Sequence, residues 1–410
     1  MSLFPSVPFP YNLFMPHIYA HAVELATTVL TVAGMGYYLA ALVAGYVYLA
    51  RRNRQLRELV NAGDPFAPPV SILKSLKGLD AGMLDAFRSH CRQSYAGQYE
   101  ILFGVSSQDD PAVSAVLRLQ NEFPEIPIRL IEAPERLGTN GKVSTLTQLI
   151  PHAAHPYLLI NDSDITVSPR YLERVMGSFA EPGEQPVGLV TALYRGQAHG
   201  TVPSQLESLG ISTDFVPSVL LTVLMERGMR FGLGSTLAVS REALETVGGL
   251  AALVDHLADD YELGVRVHKA GFRIVLAPDV VETSVPAYNW RGFFDHQLRW
   301  YRTVRDARPL GYSGMHFTYG LAWAMLNLVA SGFSLLSIWL FALAFFLRLA
   351  LAMTVGARIL SDHQALPGLW LMPFRDAVAF GLWIAGFAGN TIVWRGQRFT
   401  VKKGRLVAQG

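Results

Sequence analysis

Long apolar stretches lie towards both ends of the chain, with a region of mixed polarity between them. Residues 25–50 carry no charge, and at about 1.5 Å rise per residue a helix of that length covers the roughly 30 Å of bilayer hydrocarbon. One spanning helix is expected there. Arg51, Arg52, Arg54 and Arg57 follow it, and the positive-inside rule puts that flank in the cytoplasm and the N-terminal side outside. The first twenty residues are rich in proline and aromatics but hold no Lys or Arg; a cleaved signal peptide would start basic, so the helix reads as an anchor that is kept.

The next apolar stretch, residues 316–347, is also free of charge, and Arg348 is followed by a further run to residue 357. One helix of that length overshoots a bilayer, so it reads either as a tight hairpin or as a long span with an interfacial extension. Residues 377–394 form a third charge-free stretch. The tail beyond carries Arg395, Arg398, Lys402, Lys403 and Arg405 and favours the cytoplasm, which asks for an even number of crossings where three segments are visible.

The middle reads as a soluble block over residues 51–315, between an anchor at 1–50, a membrane region at 316–394 and a basic tail at 395–410. It opens with the linker Gly63-Asp64-Pro65-Phe66-Ala67-Pro68-Pro69. Short β-like runs at 70–73, 100–105, 128–132, 157–160 and 187–193 then alternate with helical stretches, which predicts an α/β domain with a mostly parallel sheet. Sheets of that kind bind ligands at the carboxyl ends of their strands. Composition agrees with the membrane reading: 51% of residues are hydrophobic and only 16% charged, too apolar for a soluble enzyme of this length. A net charge of +2 gives no reason to expect a nucleic-acid partner. The single cysteine, Cys91, cannot form an intrachain disulfide and reads as a buried apolar side chain in a reducing compartment.

Three motifs can carry chemistry. The apolar run Leu158-Leu159-Ile160 ends in Asn161-Asp162-Ser163-Asp164; carboxylates one residue apart at a strand end can hold a hard divalent cation such as Mg²⁺ or Mn²⁺, although an isolated triplet is more often a turn. Asp259-Asp260-Tyr261-Glu262 offers a base, with Asp260 the candidate to take a proton from an attacking hydroxyl; the plainer reading is an acidic cap at a helix start. In His296-Gln297-Leu298-Arg299-Trp300 the guanidinium can neutralise a departing anion and the indole can line a pocket, against the alternative of a juxtamembrane aromatic and basic belt. Lys142, in Leu137-Gly138-Thr139-Asn140-Gly141-Lys142, sits in a glycine-containing loop that can approach a phosphate, a weak signal alone. Residues 215–224 read as core, with an interfacial lip as the alternative.

Taken in order, these segments resemble the ceramide glucosyltransferase family of membrane-bound GT-A glycosyltransferases over most of residues 68–310. The likeness runs through Val70-Ser71-Ile72-Leu73-Lys74-Ser75-Leu76-Lys77-Gly78, Gln108-Asp109-Asp110-Pro111-Ala112, Lys142-Val143-Ser144-Thr145-Leu146, the Asp162 to Asp164 triplet, Ala258-Asp259-Asp260-Tyr261 and Arg299-Trp300. It implies a GT-A fold, a UDP-sugar donor, a divalent cation, cytosolic catalysis and transfer with inversion to a lipid hydroxyl. It assigns Lys74, Asp110, Lys142 and Asp162 to the nucleotide, Asp162 and Asp164 to the metal, and Asp260, Arg299 and Trp300 to catalysis. Two positions depart from the family pattern: His296 opens the motif that ends in Arg299-Trp300, and Ser107 stands where the first family aspartate is expected, leaving Asp110 or Asp109 to substitute. The same stretches also look like the bacterial hopanoid-associated glycosyltransferases, for which the acceptor is a polyhydroxylated triterpenoid and the donor UDP-N-acetylglucosamine. A processive polysaccharide synthase and a non-catalytic nucleotide or lipid receptor are the competing readings. Removal of the chain from about residue 316 is expected to leave a folded, nucleotide-binding domain.

Overall fold

The computed structural model describes residues 11–61, 63, 65–80, 82–394 and 397–408. Residues 1–10, Asp64 of the expected linker and Arg395 of the tail lie outside them. The first half of the chain builds α1 (Tyr11–Asn61), β1 (Val70–Ser75), α2 (Met83–Cys91), β2 (Tyr99–Val105), α3 (Ala112–Glu122), β3 (Ile128–Glu132), α4 (Gly141–Leu149), β4 (Tyr157–Ile160), β5 (Ile165–Thr166), α5 (Tyr171–Gly177) and β6 (Val187–Ala198). It continues with α6 (Val202–Gly210), α7 (Val216–Met225), β7 (Leu237–Ser240), α8 (Arg241–Thr246), α9 (Asp259–Lys269), β8 (Arg273–Val285) and α10 (Trp290–Ala307). The remainder is α11 (Pro309–Gly314), α12 (Gly320–Ala330), α13 (Leu335–Ala352), α14 (Ala365–Gly368), α15 (Met372–Gly386), β9 (Thr391–Trp394), β10 (Gln397–Lys402) and β11 (Arg405–Ala408).

Eight strands form one sheet in the order β3-β2-β1-β4-β7-β6-β8-β5. β1 runs parallel to β2 and β4, β2 to β3, and β6 to β8; β7 is antiparallel between β4 and β6. The sheet is mostly parallel, as expected. The inner strands are apolar on both faces because helices cover both: Ile72, Ile101, Phe103 and Leu159 pack with Phe87 and Val116 on one side, while Leu73, Leu102, Leu158 and Ile160 pack with Leu146 and Leu149 on the other. Cys91 is buried in the first of these layers, and burial pushes its thiol up to about 12.

Among the described residues, three helices are long and apolar enough to cross a membrane: Tyr19–Asn61, Val202–Met225 and Leu335–Ile359. The anchor helix runs eleven residues past the expected boundary at residue 50, and its polar end docks on the α/β domain. Arg51 pairs with Glu181 at 2.8 Å, Gln55 donates to the same carboxylate at 2.9 Å, and Arg52 donates to the Ile359 carbonyl at 2.8 Å. Across the apolar part, α1 crosses α12 at two glycines; a Cβ on Gly34 would lie 2.2 Å from the Gly320 Cα, the close approach that small residues allow between apolar helices.

Residues 316–347 take the hairpin form. α12 and α13 are joined by a turn in which Gly332 and Phe333 have φ of 60° and 62°, and Ser334 caps α13. Arg348 interrupts the apolar run because it is a buried pairing residue, bonded at 2.8 Å through Nε to Asp376 and at 2.6 Å to the Thr213 carbonyl. The apolar stretch 215–224 is not simply core; it belongs to the second membrane-length helix and lies along α1, where Tyr37 and Ser218 bond at 2.9 Å.

Residues 377–394 do not make a third span. α15 has fifteen residues, about 22 Å of helix and short of a bilayer core. Gly389 then turns the chain at φ 73°, and Thr391–Trp394 becomes a strand. The described part of the basic tail is folded: β9, β10 and β11 form an antiparallel sheet whose core is shared with Leu257 of the α/β domain.

Candidate active site

The carboxyl ends of β1 and β4 and the amino end of β7 meet at one edge of the sheet, where Asp162 and Asp164 follow β4. What holds this strand end is a buried polar layer. Asn161 donates at 2.7 Å to the Ser235 carbonyl and at 3.0 Å to the Tyr171 hydroxyl, and its carbonyl oxygen faces His90 at 3.2 Å. Lys74, the last-but-one residue of β1, is fully buried and donates to the Asp162 carbonyl at 3.0 Å. Burial pulls its ammonium down to about 7, against the upward pull of Asp164 and Asp162. Lys74 thus supports the Asp162 backbone from behind.

Lys142 enters from the first turn of α4, whose start is fixed by Asn140: its side chain accepts from the Val143 amide at 3.2 Å and donates to the His256 carbonyl at 2.8 Å. The Lys142 ammonium stands 2.6 Å from Asp162 Oδ1 and 3.6 Å from Asp259 Oδ2. Burial opposes its charge, but Asp162, Asp259 and Asp260 outweigh burial and hold it above the usual lysine range. Asp259 also accepts from Asn140 at 3.3 Å. Both partners are side chains from the start of α4, and α9 begins without a side-chain cap bond, so Asp259 meets the capping reading only as an acid in the first turn.

Asp260, one residue on, faces the cleft. Its Oδ1 accepts from the Tyr261 amide at 2.8 Å. Its Oδ2 lies 3.0 Å from where Gly234 would place a Cβ, and Asp162 Oδ2 lies 3.7 Å from the same point. Gly234 therefore leaves open the space in which the two carboxylates converge. Burial, then Asp259, pushes Asp260 up to about 6, with Lys142 working the other way. Asp164 is raised by burial and by Asp162, and its Oδ2 accepts from Thr283 of β8 at 2.5 Å.

The opposite wall is α10, capped by Asn289. Glu207 of α6, buried, binds two of its residues, His296 at 3.0 Å and Gln297 at 3.1 Å. The unusual first residue of the Arg299-Trp300 motif thus bonds to a buried carboxylate. His296 stacks on Tyr288, with ring centres 5.4 Å apart, and touches Trp300 at 5.2 Å; Trp300 reaches Phe215, which packs on Tyr194. The Tyr194 hydroxyl is raised by burial and by Asp260, Asp162, Glu207 and Asp164 around it. Trp300, Phe215 and Tyr194 form an apolar wall that continues into the membrane-length helix at 202–225.

The sequence candidates fall into three places. Asp162, Asp164, Lys142 and Asp260 share the cleft, with Lys74 buried beneath Asp162 and not open to it, and Arg299 and Trp300 sit on the α10 wall. Asp110 lies apart, at the β1–β2 side, where its oxygens accept from the Gly78 amide at 3.0 and 3.1 Å and from the Ala112 amide at 2.9 Å; it ties two loops together. Tyr194, Glu207, Gly234 and Thr283 were missed. Glu207 alone gave a signal, as the one acid within residues 202–213 of an apolar helix.

Among the described residues no group of three or more His, Cys, Asp or Glu already surrounds a common point as a metal shell. The chemistry of the site nevertheless fits a divalent cation: Asp162 and Asp164 offer hard oxygen donors, burial and then Asp162 raise the cost of ionising Asp164, and a cation would relieve it.

The sheet order and the acidic cleft at its edge define a GT-A-type glycosyltransferase fold. A mannosyltransferase from Pyrobaculum calidifontis, solved in complex with GDP-Man and Mn2+, superposes with a TM-score of 0.50 at 20% identity, over 87% of this chain and 97% of that one. Residues 28–407 match glycosyl transferase family 21, and the chain belongs to that family. Two relatives from Caenorhabditis elegans are similar in sequence. Ceramide glucosyltransferase 3 is 24% identical over 67% of this chain, and ceramide glucosyltransferase 1 is 21% identical over 90%. The matched stretch spans 58% of the first relative's length and 78% of the second's.

Proposed function

We propose that the protein transfers a sugar from a UDP-sugar to a hydroxyl of a membrane lipid with inversion, as a ceramide glucosyltransferase-like enzyme whose catalytic domain faces the cytoplasm. The observation that carries this reading is Asp260: a half-buried carboxylate raised to about 6, facing Asp162 across Gly234 and bordered by an apolar wall that leads to the membrane helices. The family membership supports the reaction class, and the arginines after residue 50 support the orientation.

Asp162 and Asp164 would hold the divalent cation, which neutralises diphosphate charge when bound. Lys142 adds a fixed positive charge beside Asp162, and Lys74 fixes the Asp162 backbone beneath it. The lipid hydroxyl enters along Trp300, Phe215 and Tyr194 and places its oxygen against Asp260. Asp260 takes the hydroxyl proton as the oxygen bonds to the anomeric carbon and the bond to the diphosphate oxygen breaks on the opposite face. Arg299 stabilises the negative charge left on the departing UDP. A base with a pKa near 6 is ionised at neutral pH yet still basic enough to accept a proton.

The test is a screen of purified full-length protein with UDP-glucose and UDP-N-acetylglucosamine against ceramide and a polyhydroxylated hopanoid, read by lipid mass spectrometry. One added sugar on one lipid supports the reading and names the acceptor; long polymer would identify a processive synthase, and nucleotide binding without any product a receptor.

A further inference from the structure

The C-terminal sheet touches both walls of the cleft. On the α9 side, the Leu257 amide donates to the Gly404 carbonyl at 3.0 Å and the Leu406 amide to the Asp255 carbonyl at 2.8 Å. These bonds hold the segment that leads directly into Asp259 and Asp260, and Leu257 contributes to the apolar core of the sheet with Ile392, Phe399, Val401 and Leu406. On the α10 side, Arg302 donates to the Thr391 carbonyl of β9 and Asp306 accepts from the Gly404 amide, while Arg302 and Arg305 also hold the turn just before the sheet, at 2.8 Å to the Ala388 carbonyl and 3.0 Å to the Gly389 carbonyl. Between the two walls, the Arg299 guanidinium carbon lies 5.9 Å from the centre of the Trp394 ring.

We propose that this sheet is a positioning element for transfer: it fixes the spacing between the base on α9 and Arg299 on α10, and Trp394 is the positioning residue for Arg299. The inference rests on the catalytic roles proposed above for Asp260 and Arg299. An arginine carries about 2 kcal/mol of rotamer entropy, and an aromatic face packed on the guanidinium is one contact that narrows its rotamers while leaving its charge in place. The sheet thereby sets the geometry of the transition state and leaves donor binding to Asp162, Asp164 and Lys142.

The test uses full-length protein in lipid nanodiscs, with the donor and lipid pair that the unmodified protein turns over. Trp394→Ala lowers kcat by roughly three- to thirty-fold, the range set by a cation–π contact, while the KM for the UDP-sugar stays within about twofold. Trp394→Phe restores most of the loss. In Arg299→Ala the additional change Trp394→Ala costs nothing further, because its effect runs through Arg299. Independently of turnover, amide hydrogen exchange over residues 255–260 rises in Trp394→Ala while β1 to β4 stay protected. Losses that multiply in the double variant, a change confined to donor KM, or unchanged exchange at 255–260 would overturn the proposal. If the unmodified protein turns over no lipid, it is the proposed function that fails, and the exchange measurement still decides whether the sheet holds the α9 wall.

Discussion

The two walls of the cleft handle their carboxylates differently. On the β4 side, Asp162 and Asp164 follow a strand end whose backbone Lys74 bonds from behind and which the Asn161 side chain ties to the Ser235 carbonyl ahead of β7, so their position follows from a continuous sheet. On the α9 side, Asp260 begins a helix whose approach is held by long-range contacts: Asp255 with Thr139 at 2.9 Å, and Leu257 with the C-terminal sheet. The strand side is a rigid platform suited to binding, whereas the helix side, which carries the proposed base, depends on distant segments. Sites on scaffold strands are held more tightly than sites whose support comes from loops.

The strongest way to break this comparison is to remove what the β4 side would hold. EDTA is expected to abolish transfer and to weaken UDP-sugar binding together, since the diphosphate loses its neutralising charge. Asp164→Ala should do the same in calorimetric titration with the UDP-sugar. Full activity after both treatments would mean that this side holds no metal.

On the α9 side the expected defect is of another kind. Asp260→Asn should lower kcat about 10²–10⁴-fold, the usual contribution of a general base, while donor affinity stays near normal. Asp259→Asn, which keeps an oxygen for Asn140 but loses the charge facing Lys142, should show the smaller kinetic loss and a lower melting temperature. Steady-state kinetics beside thermal unfolding separate the two. A dead Asp259→Asn with an active Asp260→Asn would move the base one residue back.

The smallest effect is on stability and comes from the sign of the Asp260 shift. Its folded pKa, about 6, lies above the reference value of 3.8, so the folded state binds the proton more tightly than the unfolded chain. Both states are protonated well below 3.8 and the group is then neutral for stability; between 3.8 and about 6 the unfolded chain ionises first, and above 6 the ionised carboxylate costs stability in full. In the metal-free protein, Asp260→Asn should therefore raise the melting temperature at pH 7.5 by a few degrees and leave it unchanged near pH 3.5, the expected cost of a functional charge. A lower melting temperature at pH 7.5 would show that the carboxylate is stabilised in place.

The difference between the walls also explains what was legible in the sequence. All five β-like runs are strands, and Asp162, Lys142 and Asp260 meet as expected, because period, punctuation and motif agree there. β8 went unread because Pro278 and Asp279 break its apolar pattern, at the point where its pairing with β6 shifts register between Thr191 and Leu193. The C-terminal sheet went unread because residues 377–394 are uniformly apolar and composition alone favours a span. Local turn chemistry held the correction: Gly389-Asn390 before the β-branched Thr391-Ile392-Val393, then Lys403-Gly404 at a hairpin with φ of 52° and 78°. Removing the chain from residue 316 would take this sheet away with the α12–α13 hairpin, so the truncated domain is expected to lose the support of its α9 wall as well as its C-terminal apolar helices. Tyr194 and Gly234 carried no local signal, since only the sheet order brings them to the carboxylates.

The most direct measurement of the central claim is the anomeric configuration of the lipid product. With an α-linked UDP-sugar and full-length protein, nuclear magnetic resonance of the purified glycolipid should show a single β-linked sugar, formed with one UDP released per lipid modified, and none with Asp260→Asn. An α-linked product, or UDP release that does not depend on the lipid, would contradict direct attack by a lipid hydroxyl deprotonated by Asp260.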